Sequence, residues 1–305
     1  MKLRYGRRMF IAILAVWAAL ELFYAFAPIP FERSAPVMGT TVRIKVTGKN
    51  AAHWAQRAIW EIKRLERSFS LFDKCSEIAL INELSGRAPL QVSPDTFSVI
   101  KMAVEVNKLS RGAFDITMGQ PSHLVIDEKN GKVMIRARNT PRLCSEQADH
   151  GAQSIDLGGI GKGYAVEAAR RLLLKHGVKS AIIDMHSSIA VIGDGWKIGI
   201  RDPRVKGQGA SSKKLLGVIV LNNSDALATS GQYEQPGHII DPRTGKKADK
   251  CLSVTVIAKD AGLADALSTA VFVLGPVEGM KLVNKLGVKV IIVDKNGKIH
   301  RNFNS

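Results

Sequence analysis

The sequence predicts an α+β fold of mixed sheets and packed helices, preceded by an N-terminal membrane segment. Segments of alternating apolar and polar residues, which are typical of strands, are mixed with segments of helical periodicity. The two kinds do not follow the strict βαβ order of a doubly wound parallel sheet, which favours α+β. A chain of 305 residues can bury a large core, in one large domain or in two small ones.

The N-terminus has the pattern of a targeting segment. It begins with four cations: Lys2, Arg4, Arg7 and Arg8. An apolar run follows from Met9 to about Pro28, and only Glu21 interrupts it. A charged flank before an apolar run that is nearly long enough to span a bilayer is typical of a signal peptide or a membrane anchor. A buried helix of the domain is the structural alternative.

The same segment indicates where the rest of the chain resides. Ala25-Phe-Ala27 resembles a cleavage site of a signal peptide, but Pro28 follows it and disfavours cleavage. We therefore expect residues 1–30 to be an uncleaved inner-membrane anchor with its positive end inside. Residues 31–305 are expected to form the functional domain on the periplasmic, extracytoplasmic side.

Strands are predicted where residues alternate or where short apolar runs lie between turn residues. The Asn-Gly dipeptides at Asn130-Gly131 and Asn296-Gly297 predict hairpin turns. In chain order, the predicted strands are Thr41–Val46, a pair around Asn130-Gly131 within residues 122–155, Ser180–Asp184, Trp196–Ile200, Leu215–Leu221, Leu252–Ala258 and the final hairpin Val288–His300.

Helices are predicted where apolar residues recur every three or four positions. From Ala51 to about Arg67, this spacing places Trp54, Ile59, Ile62 and Leu65 on one side. A second helix starts behind Ser93-Pro-Asp95 and runs to about Ser110, where Gly112 ends it. Three more helices are predicted: Tyr164 to near Gly177, Ala261 to about Leu274, and Val277 to Leu286.

The charge balance restricts the class of ligand. The 44 Lys and Arg residues exceed the 27 Asp and Glu residues, which gives a net charge of +17. Such an excess indicates an acidic ligand, an anionic membrane surface or nucleic acid. The cations are spread along the chain without a nucleic-acid motif, so we expect no nucleic-acid partner. The three cysteines, Cys75, Cys144 and Cys251, show no metal-binding spacing.

The most informative motif is Asp156-Leu-Gly-Gly-Ile-Gly-Lys-Gly163, which lies directly before a predicted helix. Glycines let a backbone approach a ligand, and N–H groups at a helix start favour anions, so the motif indicates a phosphate-bearing ligand. It is not a P-loop, which needs Gly in place of Asp156 and Ser or Thr in place of Gly163. It is not a dinucleotide fingerprint either, because the glycine spacing is G-x-G-x-G. A glycine-rich turn before a helix is the structural alternative.

The helix predicted after Ala261 carries a candidate metal site. Asp265 precedes Ser268 by three positions and Thr269 by four, so all three lie on one helical face. A carboxylate beside hydroxyl oxygens suits Mg²⁺, and an acid in so apolar a helix needs a partner. The alternative is a core helix whose Ser and Thr bond back to their own carbonyls.

Two further segments are candidate ligand loops. His238 precedes the turn signature Asp241-Pro-Arg-Thr-Gly245, where it could serve as a general base or a ligand clamp. A histidine at a strand end before a turn is the alternative. Residues 228–234, which are small and polar and follow a strand, are the second candidate.

Six motifs occur together in the order of one family, and the chain resembles the ApbE family, the FAD:protein FMN transferases. The match runs from about residue 36 to the C-terminus, and the ordered set is specific although each motif alone is weak. The motifs are Met38-Gly-Thr40, Gly112-Ala-Phe-Asp115, Asp156–Gly163, Ala228-Thr-Ser-Gly231, His238-Ile-Ile-Asp-Pro-Arg-Thr-Gly245 and Ala264-Asp-Ala-Leu-Ser-Thr269.

The resemblance implies Mg²⁺-dependent transfer of FMN from FAD to a Thr or Ser hydroxyl of a target protein, with AMP released. The target could be a membrane redox subunit, as many family targets are. Catalytic positions matched are His238, as base towards the acceptor hydroxyl, and Asp265. Matched metal ligands are the Gly159 carbonyl, Asp265, Ser268 and Thr269. Matched FAD contacts are Met38, Phe72, Ala113, Phe114, Asp115, Asp156, Lys162 and Ile239.

The chain departs from the family pattern at three places. Phe72 stands where the family usually has Tyr, and His186-Ser-Ser188 replaces a Gly-Gly-Asn or Gly-Gly-Asp turn. The segment between Asp115 and Asp156 is shorter than the family norm. A second hypothesis is therefore a relative that binds flavin nucleotide without catalysis, or that hydrolyses FAD without transferring FMN. Retention of Asp265, Thr269 and His238 together favours the transferase.

Overall fold

Six helices and fifteen strands form in the part of the chain that the computed structural model describes, residues 29–119, 123–136, 154–205, 214–222, 224–231 and 237–303. The helices are α1 (Ala51–Phe69), α2 (Glu77–Glu83), α3 (Pro94–Leu109), α4 (Gly161–Lys175), α5 (Ala261–Leu274) and α6 (Pro276–Leu286). The strands are β1 (Pro30–Val37), β2 (Thr40–Thr47), β3 (Leu90–Gln91), β4 (Leu124–Asp127), β5 (Lys132–Ile135), β6 (Ser180–Asp184), β7 (Ser188–Ile192), β8 (Trp196–Arg201), β9 (Leu215–Leu221), β10 (Ala226–Gly231), β11 (Ile240–Asp241), β12 (Lys246–Lys247), β13 (Cys251–Ala258), β14 (Lys289–Asp294) and β15 (Ile299–Arg301).

An eight-stranded antiparallel sheet in the order β1-β2-β6-β7-β10-β13-β14-β15 is the centre of the fold. Alternate residues of a strand point to opposite faces, so both faces need cover. Helices α1, α4 and α5 pack on one face, where Val254 and Val256 of β13 join the main core. The hairpin β8–β9 covers part of the other face, where Ile257 of the same strand joins a second core. The α+β class is thus confirmed.

The helix starts follow from local sequence. Ser93 caps α3 by accepting a hydrogen bond from the N–H of Thr96, and Pro94 occupies the first turn. Asp260 caps α5 in the same way, accepting from the N–H of Leu263. The Asp260 cap therefore sets the start of α5, the helix that carries the candidate metal site. The helices predicted from periodicity and capping are all found, with ends shifted by a few residues.

Several elements were missed, each for a physical reason. β1 carries two prolines, which an edge strand tolerates because its outer N–H groups need no partner. β7 is buried along its whole length, so it lacks the alternation that marks a strand. The first half of the segment 228–234, predicted as a ligand loop, is not a loop but part of strand β10, which runs through Gly231; residues 232–234 lie outside the described part of the chain.

None of the described helices is long and apolar enough to cross a bilayer. The predicted anchor falls almost entirely on residues 1–28, which lie outside the described residues, so it stays a prediction. The polar stretch at residues 137–153, with Cys144, lies outside them as well. Cys75 is exposed and Cys251 is buried, and both are free thiols.

Candidate functional site

One cavity of about 650 Å³ gathers most of the predicted site residues. Its walls come from the β1–β2 turn, the loop after α3, the glycine motif, the β6–β7 turn, strand β10, the segment around β11, and helix α5. The predicted residues that line it are Met38, Ala113, Phe114, Asp115, Asp156, Gly159, Lys162, His238, Ile239, Asp265 and Thr269. Segments far apart in sequence thus meet in one site.

Asp265 is the most unusual group in the cavity. It is only 5% exposed, and its Oδ2 accepts a hydrogen bond from the N–H of Gly163 at 2.8 Å. Burial raises the pKa of its carboxyl to about 6, and the nearby Lys162 cation and the Gly163 N–H partly oppose that rise. The Ser188 hydroxyl also faces the carboxylate and lowers the pKa, although it lies outside ordinary hydrogen-bond geometry. The site therefore holds a buried carboxylate whose charged form is disfavoured mainly by loss of solvent.

The hydroxyls of α5 behave differently from one another. Thr269 lines the cavity, and its Oγ1 lies 3.0 Å from Ser230 Oγ on β10. Ser268 is fully buried, lies 2.7 Å from the same Ser230 Oγ, and donates to the carbonyl of Asp265 at 2.8 Å. For Ser268 the bond back to its own helix is therefore the observed arrangement, and it does not line the cavity.

The glycines of the motif have separate roles. A Cβ on Gly163 would lie 2.3 Å from the Ala261 carbonyl oxygen and 2.5 Å from Asp265 Cβ, so this glycine lets α4 approach α5. A Cβ on Gly159 would lie 3.0 Å from the Phe114 ring and 3.5 Å from Thr269 Oγ1. Gly159 is thus packed beside the Thr269 hydroxyl. Gly158 and Gly159 line the cavity and Gly163 does not, so the expected approach of backbone to ligand concerns the first two.

Two predicted FAD contacts hold loops in place. The Asp115 carboxylate accepts from the N–H and hydroxyl of Thr117, at 2.8 and 2.7 Å, and from the N–H of Gly119 at 2.9 Å. Asp156 accepts from the N–H of Gly158 at 2.8 Å. Both carboxylates therefore shape the cavity wall through their own turns.

The remaining predicted residues lie at the entrance, in the wall, or away from the cavity. His238 is exposed at its edge, and the adjacent Ile239 is buried in its wall. Met38 lies in a two-residue turn with its N–H donating to Glu66 Oε1 at 2.5 Å. Phe72, in the connection between α1 and α2, is 96% exposed and does not line the cavity. Its contact with FAD stays a prediction.

Sequence reasoning missed some lining residues. His186 and Ser187 of the β6–β7 turn line the cavity, and the family pattern singled them out only as a departure. Thr229, Ser230 and Gly231 line it too, as expected for the predicted ligand segment 228–234, although they lie on strand β10. Within the described ranges, no three His, Cys, Asp or Glu side chains cluster as they would around a metal.

The fold and the site define an α+β protein whose large cavity is built around a buried carboxylate. The model of the ApbE family matches residues 38–292, and the chain belongs to that family. The FAD:protein FMN transferase of Vibrio cholerae serotype O1 is 30% identical over 295 residues, covering 86% of each chain. That of Klebsiella pneumoniae strain 342 is 29% identical over 294 residues, covering 88% of this chain and 90% of the relative.

Solved structures show the same fold. The crystal structure of the ApbE protein from Thermotoga maritima superposes with a TM-score of 0.77 at 30% identity, covering 90% of this chain and 97% of that one. The flavin transferase ApbE from Vibrio cholerae gives a TM-score of 0.76 at 24% identity, covering 91% of this chain and 98% of that one.

Proposed function

We propose that this protein transfers FMN from FAD to a Thr or Ser hydroxyl of a target protein and releases AMP, with Mg²⁺ as cofactor. Membership of the ApbE family supports the reaction class, since its relatives carry the name FAD:protein FMN transferase. The observation that carries the proposal is the buried Asp265 carboxylate beside Thr269 and Gly159, in a cavity of about 650 Å³. That volume is in the range of ligand pockets.

The residues of the cavity floor fit Mg²⁺. We propose that the Asp265 carboxylate, the Thr269 hydroxyl and the Gly159 carbonyl hold the ion. Mg²⁺ is commonly bound by one or two carboxylates plus phosphates of the substrate, which agrees with a site built on one carboxylate. Burial raises the pKa of the Asp265 carboxyl, and a cation bound beside it would favour the charged form. Bound there, the ion would neutralise charge on the diphosphate of FAD.

The chain's own residues supply positioning and proton transfer. Lys162 lines the cavity and its charge acts on the Asp265 carboxylate, so it brings a cation to the site where a diphosphate would bind. His238 lies at the exposed edge, which is where a hydroxyl of a second protein would arrive. We propose that its imidazole takes the proton of that hydroxyl as the oxygen attacks the phosphorus. In phosphoryl transfer, such positioning and charge neutralisation dominate.

We further propose that residues 1–30 anchor the protein in the inner membrane, with the catalytic domain on the periplasmic side. The charged flank and apolar run of the N-terminus support this placement. An anchored transferase would meet targets that are themselves membrane proteins, such as redox subunits.

Incubation of the purified full-length chain with FAD, MgCl₂ and a membrane-protein fraction tests the reaction. We expect AMP release in step with flavin fluorescence that stays on a protein band after denaturing electrophoresis. AMP with free FMN and no labelled band would identify an FAD hydrolase. If neither product forms although circular dichroism shows a folded chain, the proposed catalysis is contradicted. The alternative that would then stand is a protein that binds flavin without catalysis.

Replacing His238 by alanine tests the proposed base. We expect the rate of transfer to fall about 100-fold or more, the usual contribution of a general base. The affinity for FAD should change little, because the imidazole is assigned to the acceptor hydroxyl. His53→Ala, an exposed histidine on α1 that does not line the cavity, is the matched control. A variant that transfers FMN at the wild-type rate would exclude His238 as the base.

A further inference from the structure

The turn between β6 and β7 has a backbone conformation that its sequence does not favour. Ser187 N–H donates to the Met185 carbonyl at 2.7 Å, and Met185 N–H donates to the Ser188 carbonyl at 2.9 Å. This tight turn places His186 at φ +62°. Side chains other than glycine rarely adopt that region, and such strained residues cluster at ligand sites.

The surroundings hold His186 in this conformation. Its N–H donates to Asp184 Oδ1 at 2.8 Å, and the Ser187 carbonyl accepts from the N–H of Thr229 on the neighbouring strand at 2.8 Å. The turn is therefore fixed from both sides before any ligand arrives. A fixed turn with an exposed imidazole is a preorganised part of the cavity wall.

The Ser187 hydroxyl lacks a partner. It is buried in the cavity wall and makes no hydrogen bond to any of the described residues. A buried polar group without a partner destabilises the folded protein, and native proteins rarely keep one without a reason. A ligand that accepts a hydrogen bond in the cavity would supply the missing partner.

The position of the turn indicates which ligand group that is. Ser188, the next residue, faces the Asp265 carboxylate. Thr229, which holds the Ser187 carbonyl, precedes Ser230, whose hydroxyl lies 3.0 Å from Thr269 Oγ1. The turn thus borders the part of the cavity formed by Asp265 and Thr269. A nearby phosphate would offer oxygens that accept from both a serine hydroxyl and an imidazole.

We propose that the β6–β7 turn is a diphosphate-binding loop. The Ser187 hydroxyl donates to a phosphate oxygen of the nucleotide, and the His186 imidazole lies against the same phosphate group. This inference rests on the proposed function for the identity of the nucleotide, FAD. The inference itself concerns one part of the ligand: the turn contacts the diphosphate and does not contact the flavin ring.

Calorimetric titration of the full-length chain separates these parts of the ligand. The probes are FAD, ADP with Mg²⁺, which carries a diphosphate without flavin, and riboflavin, which carries flavin without phosphate. Ser187→Ala should weaken ADP and FAD by about tenfold each, the effect of one hydrogen bond to a charged group. Riboflavin binding should stay the same.

His186→Asn provides the second variant, because asparagine tolerates the left-handed region but has no imidazole. It should weaken ADP and FAD about threefold and leave riboflavin unchanged, in line with a modest electrostatic contact. Ser98→Ala, which removes an exposed hydroxyl on α3, is the control and should bind all three probes as the wild type does.

Thermal unfolding without ligand distinguishes binding from structure. A serine that only supports the turn would lower the melting temperature when replaced, whereas Ser187→Ala should keep or raise it because the orphan hydroxyl is removed. The inference is overturned if the wild type does not bind ADP, or if Ser187→Ala leaves ADP affinity unchanged or weakens riboflavin equally.

The outcome for this loop is separable from that of the proposed function. ADP affinity that depends on Ser187, in a chain that transfers no FMN, would support the loop and contradict the transferase. If a Ser187→Ala variant transfers FMN and binds FAD and ADP with unchanged affinity, the transferase is supported and the diphosphate-binding loop is contradicted.

Discussion

Replacing Asp265 by asparagine is expected to abolish flavin transfer and, at neutral pH, to stabilise the protein in the absence of ligand. The amide keeps an oxygen that can accept from the Gly163 N–H, now at 2.8 Å from Asp265 Oδ2. It loses the negative charge that is proposed to hold Mg²⁺. We expect the transfer rate to fall at least 1000-fold, since metal positioning and charge neutralisation supply most of the catalysis in phosphoryl transfer.

The gain in stability follows from the pKa of Asp265, which burial raises from 3.8 to about 6. Below about pH 3 the carboxyl is protonated in both folded and unfolded chains, and the charge has no effect. As the pH rises to about 6, the unfolded chain ionises first and stability falls. Above that pH the loss is complete, and about two pKa units correspond to about 3 kcal/mol.

Urea unfolding with EDTA at pH 4 and pH 8 measures this difference. Asp265→Asn should be only slightly more stable than the wild type at pH 4 and exceed it at pH 8, by up to about 3 kcal/mol. Asp202→Asn is the matched control, because a side-chain hydrogen bond from Arg204 lowers the pKa of this buried acid. Loss of the Asp202 charge should destabilise the protein at pH 8. Equal or lower stability of Asp265→Asn at pH 8 would contradict the account.

Thermal unfolding with added ligand tests whether Mg²⁺ binds at Asp265. Mg²⁺ together with FAD should raise the melting temperature of the wild type, because ligands that bind only the folded state stabilise it. The same addition should have a much smaller effect on Asp265→Asn. If Mg²⁺ stabilises both proteins equally, the ion does not bind at Asp265.

Local patterns were sufficient to predict the residues of α5. Helical spacing placed Asp265 and Thr269 on one face, and both line the cavity. The same spacing included Ser268, which instead bonds back to its helix and to Ser230. Which hydroxyl faces the cavity depends on how α5 packs against β10, and periodicity along one helix holds no information about that packing.

The turn at His186 and Ser187 shows the same limit. Its sequence indicates a connection between strands, but whether the Ser187 hydroxyl finds a hydrogen-bond partner depends on how β7 and β10 pack around the turn. The family pattern assigned Phe72 to FAD, and the fold places its side chain 96% exposed and away from the cavity wall, so this contact stays a prediction. Long-range packing decides both positions.

Gly163→Ala is expected to be among the most damaging single substitutions in the chain. The added methyl would lie 2.3 Å from the Ala261 carbonyl oxygen and 2.5 Å from Asp265 Cβ, both closer than real contacts allow. Neither is the end of a flexible side chain, so α4 and α5 must move apart. Overpacking of this kind costs about 1–3 kcal/mol or more, and the shift also stretches the 2.8 Å bond from the Gly163 N–H to Asp265.

Urea unfolding and FAD titration of this variant separate two explanations for the glycine. If Gly163 serves helix packing, Gly163→Ala loses stability and transfer activity together. If it serves close approach to the nucleotide, FAD affinity falls while stability is kept. Gly217→Ala on β9 is the control, because its added methyl would meet no atom within 4 Å. The clash with backbone of α5 predicts the first outcome, in which the motif positions the carboxylate by joining two helices.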